Sequence, residues 1–319
     1  MGHKVLILQD IDPAGKEYLK EHNCDLFISQ EQTEEGYIKE IGEIQPEVLF
    51  ARIHLVSAAM MDAASTIKVI ARHGVGYDGV DLEHATAKKI KVVCVPEGNF
   101  ISVAEHAMLL ILACAKRYGQ LSEAFREGNY GIRNDILEAC ELRGKVLGII
   151  GCGRIGTALA EMAAKGFGMK VLGYSRHLVP GVKDKEVDFL AVAKEDLIKK
   201  ADFLVIALPS TPETKHSFKY ETFKNMKKTS YFINISRGNI VVEADLLRAL
   251  NENLISGAGL DVFEVEQPQM ENPLLKMNNV IATPHFAGLT KDALARISLD
   301  GAKQIVDVLE GREPKWPVN

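Results

Sequence analysis

Long apolar runs, cysteine motifs and a basic excess are all missing from this 319-residue chain, and each absence removes a class of function. The longest apolar stretch, Ala107 to Ala115, falls far short of the roughly 20 residues that span a bilayer. A soluble protein with no membrane partner is expected. Lys and Arg number 38 against 43 Asp and Glu, a formal net charge of −5, so no cationic surplus stands ready to neutralise a run of phosphates. That argues against nucleic acid. The five cysteines, Cys24, Cys94, Cys114, Cys140 and Cys152, are odd in number, widely spaced and without a CxxC pair, which suits neither a disulfide framework nor a zinc site. A reducing, cytoplasmic setting and no metal are expected. Met1-Gly-His-Lys-Val runs directly into a strand-like segment, without the long apolar region and cleavage site of a secretory leader, and Leu6 stands where N-myristoylation wants Ser or Thr. No internal repeat or low-complexity tract is visible, which sets repeat architecture aside.

What is present is an ordinary globular composition, 47% hydrophobic and 25% charged, in a chain too long for one compact core. Two α/β domains are expected. Val5–Leu8, Val48–Phe50, Val69–Ala71 and Val92–Val95 read as strands, with helical patterns such as Pro13–His22 between them. A second series follows at Lys145–Ile150, Lys170–Tyr174, Phe203–Leu208, Tyr231–Ile235, Ser256–Leu260 and Val280–Ala282. Alternation of this kind predicts two parallel sheets. Phe100–Tyr118 is a helical pattern more apolar than a one-faced surface helix. Burial against a second subunit would satisfy it, so a homodimer is expected, with burial inside one chain as the alternative. The last helical pattern, Lys291–Glu310, has no strand after it, which predicts a return to the first domain.

Gly151, Gly153 and Gly156 stand in GxGxxG spacing after the strand Lys145–Ile150, open a helix Arg154–Gly166 and lead to the strand Lys170–Tyr174. In that context the pattern predicts a dinucleotide site, with a pyrophosphate against the free N–H groups of the helix N-terminus. An NAD site normally has Asp or Glu at the end of the second strand. Here Ser175 and Arg176 stand there, and a guanidinium pairs with a 2′-phosphate where a carboxylate would repel it. NADP is the expected coenzyme, and NAD with a solvated Arg176 is the alternative.

Seven blocks, in order, resemble the D-isomer-specific 2-hydroxyacid dehydrogenases, which include phosphoglycerate dehydrogenase and glyoxylate/hydroxypyruvate reductase. They are Arg72-His-Gly-Val-Gly-Tyr-Asp78, Val103-Ala-Glu-His106, the Gly151 loop, Leu208-Pro-Ser-Thr-Pro-Glu-Thr214, Asn234-Ile-Ser-Arg-Gly238, Gly259-Leu-Asp-Val-Phe263 with Glu266, and Thr283-Pro-His285. The resemblance covers nearly the whole chain. It implies a flavodoxin-like, discontinuous substrate domain (1–97 and 288–319), an inserted Rossmann coenzyme domain (98–287), and ligands in a cleft between them.

The resemblance also assigns roles. His285 would be the proton donor and acceptor, Glu266 the carboxylate orienting its imidazole, and Arg237 the guanidinium that holds the substrate carboxylate and polarises its 2-oxo group. Glu264 is a rival to Glu266 that only the family's spacing from Asp261 disfavours. Arg52 and the amides of Val75 and Gly76 would anchor substrate. Coenzyme contacts would come from Gly151, Gly153, Arg154, Ile155, Gly156, Ser175, Arg176, Leu208, Pro209, Thr214, Ser236 and Asp261. Three positions depart from the family: Ala207 where His is frequent, Gln267 between Glu266 and Pro268, and Ala287 for a glycine.

The expected function is NADPH-preferring reduction of glyoxylate, hydroxypyruvate or a similar short 2-oxo acid. NAD-dependent 3-phosphoglycerate or other D-2-hydroxyacid dehydrogenase activity is the rival. A dinucleotide-sensing corepressor is the distant one, disfavoured by the complete Arg237, Glu266 and His285 set.

Overall fold

The computed structural model describes residues 2–135, 138–182 and 189–319, and the chain divides into two units: Met1–Asn99 with Gly288–Asn319, and Phe100–Ala287. The first unit is built on five parallel strands, β1 (His3–Ile7), β2 (Cys24–Ile28), β3 (Val48–Ala51), β4 (Val69–Arg72) and β5 (Lys91–Val93), in the spatial order β2-β1-β3-β4-β5. Every residue of β3 and β4 is buried, which is why these strands read as continuous apolar runs and not as alternating ones.

Side-chain caps begin the flanking helices. The Asp12 carboxylate accepts from the Ala14 amide with Pro13 at the first helical position, and the Thr33 and Thr290 hydroxyls do the same for Glu34–Ile44 and Lys291–Leu309. The last helix buries Ala302, Ile305 and Val306 against Val5, Ile7, Val48 and Phe50. The C-terminal segment thereby belongs to the first sheet, and the unit is discontinuous.

The second unit holds seven parallel strands, β6 (Val146–Ile150), β7 (Lys170–Tyr174), β8 (Phe189–Ala191), β9 (Phe203–Ile206), β10 (Tyr231–Asn234), β11 (Gly257–Leu260) and β12 (Val280–Ala282). Their order, β12-β11-β10-β9-β6-β7-β8, reverses direction at β6. In open parallel sheets that switch point, at the carboxyl ends of the strands, is where ligands bind. Ten of the sixteen residues of the helix Phe100–Ala115 are buried, packed with Leu147, Ile149, Phe203, Val205 and Ile233. Most of its apolar surface is thus used within the chain, although Leu109 stays 55% exposed. The next helix, Tyr118–Arg126, buries no residue and leaves Tyr118 and Phe125 exposed.

Two strands lie outside the expected series. β2 is an edge strand whose apolar run is broken by exposed Asp25, and β8 is an edge of only three residues, Phe189–Ala191. The helix expected over Arg154–Gly166 is α-helical to Glu161 and then widens into a π-turn at Met162–Gly166.

Candidate active site

Gly151 follows β6 with φ at +107°, and a Cβ there would lie 2.4 Å from the Ala207 carbonyl oxygen. Only glycine takes that turn at that approach. Gly153 caps the helix Arg154–Glu161, and the position of its absent Cβ faces open space. A bare helix N-terminus with an open approach suits a pyrophosphate. Arg154 and Ile155 form the first helical residues, with Gly156 one position on.

At the end of β7, Ser175 and Arg176 form a turn in which the Ser175 carbonyl accepts from the Leu178 amide. No carboxylate follows β7 directly, and Arg176 is exposed. Glu213 lies within its electrostatic reach. The Thr211 hydroxyl chiefly holds the Glu213 carboxyl below its ordinary range, and the Arg176 guanidinium adds a weaker pull. In the Leu208–Thr214 segment, the Thr214 hydroxyl donates to the Pro209 carbonyl at 2.7 Å, and the Ser236 hydroxyl donates to the Leu208 carbonyl.

Past the carboxyl ends of β10, β11 and β12, three side chains of the expected catalytic set come together. His285 Nδ1 is hydrogen-bonded to Glu266 Oε1. The His285 bond holds the Glu266 carboxyl below its ordinary range, opposing its partial burial, and the Arg237 guanidinium contributes to the same lowering. Both His285 and Glu266 remain open, with side chains 41% and 55% exposed. Arg237 Nη1 donates to the Ser236 carbonyl, and the Asn234 amide donates to the Arg237 carbonyl. Gly238 has no room for a Cβ, which would meet the Phe263 carbonyl oxygen at 1.8 Å. Its function here is to admit the loop that carries Glu266. The rival Glu264 is otherwise engaged, with His216 Nε2 at 2.9 Å and the Glu243 amide at 3.2 Å.

His285 itself has φ at +52°, in the left-handed region that costs a side-chain-bearing residue about 1 kcal/mol. Asp261 supplies the restraint. Its side chain is wholly buried, and its carboxylate accepts from the Thr283 hydroxyl at 2.6 Å, the Phe286 amide at 2.8 Å and the Ala287 amide at 3.0 Å. His106 Nε2 lies 2.9 Å from the Thr283 hydroxyl and 3.4 Å from Asp261. Burial pushes the Asp261 pKa up, yet these donors prevail and hold it below the ordinary value. The Asp261 backbone carbonyl also accepts from the His285 amide at 2.7 Å. Asp261, expected among coenzyme contacts, also braces the His285 loop from within. Ala287, at the glycine position of the family, buries its methyl in the core.

In the first unit, Arg52 follows β3, and its backbone amide and that of Ile53 donate to Gln9 Oε1, each at 3.0 Å. Its Nε is buried without a hydrogen-bond partner. Arg72 ties this segment to the next loop, donating to the carbonyls of His54, Arg52 and Gly76. Gly74, at φ +148°, starts the turn that carries Val75 and Gly76. The Val75 and Gly76 amides donate to no described group. Beneath them, His73 is buried with Nε2 2.8 Å from the Ser298 hydroxyl.

Sequence reasoning passed over the supporting roles of His106, Thr283, Arg72 and His73. All four lie inside the family blocks, but a block does not say which of its members face a ligand. Among the described residues no cluster of His, Cys, Asp or Glu is arranged to hold a metal, and no helix is long and apolar enough to cross a membrane.

The model of the D-isomer specific 2-hydroxyacid dehydrogenase NAD binding domain matches residues 108–287, and the chain belongs to that family. It is 34% identical to glyoxylate reductase of Thermococcus kodakarensis, over 100% of this chain and 97% of that one. It is also 34% identical to D-3-phosphoglycerate dehydrogenase of Archaeoglobus fulgidus, over 99% of this chain but only 59% of the length of that relative. Among solved structures, the NADPH-dependent glyoxylate/hydroxypyruvate reductase of Sinorhizobium meliloti, in complex with NADP and malonate, aligns with a TM-score of 0.84 at 27% identity. That alignment covers 100% of this chain and 97% of the other.

Proposed function

We propose that the chain is an oxidoreductase that reduces a small 2-oxo acid, of the glyoxylate or hydroxypyruvate kind, to a D-2-hydroxy acid with NADPH as preferred coenzyme. The observation that carries this reading is the Glu266–His285 pair beside Arg237, on a loop braced by buried Asp261 at the carboxyl ends of a dinucleotide-type sheet. A dihydronicotinamide coenzyme held at the Gly151–Gly156 loop would supply the hydride. Glu266 on Nδ1 leaves Nε2 of His285 as the nitrogen that delivers the proton to the developing alkoxide. Arg237 holds the substrate carboxylate and stabilises negative charge on the 2-oxo oxygen. Arg52 and the Val75 and Gly76 amides take the remaining anionic groups.

The open N-terminus at Gly153 fits a dinucleotide, with Arg154, Ile155, Gly156, Leu208, Pro209, Thr214 and Ser236 as further contacts. Ser175 and exposed Arg176, without a carboxylate at the end of β7, favour the 2′-phosphate. The NADP-bound relative from Sinorhizobium meliloti supports the same choice. The second reading is an NAD-dependent 3-phosphoglycerate dehydrogenase. The unpartnered Nε of Arg52 and the relatives of that name favour it. A homodimer through the apolar segment Phe100–Tyr118, whose Leu109 and Tyr118 stay exposed, a cytoplasmic setting, and no nucleic acid or membrane partner complete the proposal.

Steady-state kinetics on hydroxypyruvate with each coenzyme test it. Arg176→Ala should lower kcat/KM for NADPH by roughly tenfold or more and leave NADH nearly untouched. A clear NADH preference in the unaltered protein would overturn the coenzyme assignment, and inertness toward hydroxypyruvate and glyoxylate would overturn the substrate class.

A further inference from the structure

A cavity of about 640 Å³ opens at the opposite end of the second sheet from the dinucleotide loop. Its wall is made where the strands begin: Lys145 precedes β6, Asp202 precedes β9, Tyr231 opens β10, Ser256 precedes β11 and Asn279 precedes β12. Gly151, Arg237 and His285 lie past the far ends of three of these strands, and a five-residue strand is roughly 16 Å long. The cavity is therefore separate from the proposed catalytic set.

Three cations line it, Arg117, Lys145 and Lys228, against two carboxylates, Glu138 and Asp202. Both carboxylates are already engaged. Asp202 accepts from Lys227 Nζ at 2.7 Å and from the Val146 amide at 2.8 Å, while Glu138 accepts from Arg117 Nη2 at 2.9 Å. Lys145 and Lys228 have no ion-pair partner among the described residues. Arg117 is held differently. Its side chain is only 14% exposed, its backbone sits at φ +53°, and its Nε is buried without a hydrogen-bond partner. The ion pair to Glu138 fixes the guanidinium in the cavity wall, where its outer N–H groups can meet an anion. Burial also pushes the Tyr231 phenol up, so it keeps its proton as a further donor.

We propose that this cavity is a binding site for a small phosphate ester, its doubly charged phosphate held by Arg117, Lys145 and Lys228. Two lysines without ion-pair partners, beside an Arg117 that already shares its charge with Glu138, match a dianion better than a lone carboxylate. The volume lies in the range of organic ligand sites and exceeds what a bare ion fills. The amides of Gln120, Asn253 and Asn278 on the same wall suit the neutral body of the ester. The site stands independently of the activity proposed above.

The test is calorimetric titration of the full chain, saturated with NADPH, with ribose 5-phosphate and with inorganic phosphate, using citrate as the polycarboxylate control at constant ionic strength. One saturable site per chain is expected for ribose 5-phosphate, with weaker inorganic phosphate. The combined Lys145→Gln and Lys228→Gln variant, with an unchanged melting temperature, should bind at least about tenfold more weakly. His285→Ala should bind as the unaltered protein does. Absence of saturable binding would overturn the proposal. So would retention in the lysine variant with loss in His285→Ala, which puts the ester in the catalytic site, and so would citrate binding as tightly as the ester, which removes the selectivity for phosphate.

Discussion

Asp261 in the second unit and His73 in the first are both buried titratable groups beneath loops proposed to touch the ligand, yet burial leaves them in opposite charge states. Asp261 is met by the Thr283 hydroxyl, two backbone amides and nearby His106, enough donors to keep it a carboxylate. His73 meets the Ser298 hydroxyl and lies near the cations Arg52 and Arg72, and Asp12 opposes them only weakly. Burial first, and those guanidiniums second, push its pKa down to about 4. A buried charge survives where the fold supplies opposed hydrogen bonds, and otherwise the group becomes neutral. One loop is held by a charge and the other by a neutral contact.

The largest expected effect concerns what the Asp261 brace holds. His285→Ala should lower turnover by about 10² to 10⁴ while coenzyme binding, followed by fluorescence titration, persists. An active alanine variant would remove the reason for bracing that loop.

Next in size is the brace itself. Asp261→Asn leaves at least one amide facing the wrong group, and should cost roughly 3 kcal/mol in urea unfolding as well as turnover. Wild-type stability in this variant would mean that the hydrogen bonds to Phe286 and Ala287 contribute nothing.

The two groups also separate in pH. The His73 pKa is depressed on folding, so its contribution is complete above 6.5 and is lost as pH falls toward about 4, a loss of about 3 kcal/mol. Asp261 is depressed from 3.8, so its contribution persists down to that value and is lost only as pH falls through its lower folded pKa. Denaturation curves between pH 7 and 4 should therefore flatten in His73→Gln. An unchanged slope would sink the assignment of that window to His73. The smallest effect is expected from Ser298→Ala, about 1 kcal/mol, because it removes one neutral partner from His73 and from the Asp12 amide. A loss as large as that of Asp261→Asn would erase the contrast between the two knots.

Much of this is legible in the sequence. Periodicity located the strands whose apolar runs stand out between turn residues, the edges β5 and β12 included; it missed β2, where Asp25 breaks the run, and β8, which is only three residues long. The spacing from Asp261 favoured Glu266 over Glu264, and the structure gives the physical counterpart: Glu266 reaches His285, and Glu264 is spent on His216 and Glu243. For the apolar helix Phe100–Ala115 composition leaves open burial in a partner and burial in the chain's own core; ten of its residues are buried within the chain, and Leu109 stays exposed.

The sequence by itself determined the residue chemistry: a glycine loop opening a helix, a strand end without a carboxylate, and an Arg, Glu and His in the family's spacing. Those are properties of neighbouring residues, and local spacing carries them. Only the tertiary structure decided that Asp261 braces a strained His285, that Gly238 exists to admit the Phe263 carbonyl, and that Arg117, Lys145 and Lys228 share one cavity. Each depends on segments far apart in the chain, whose approach is set by packing of the sheet and not by any pattern along it.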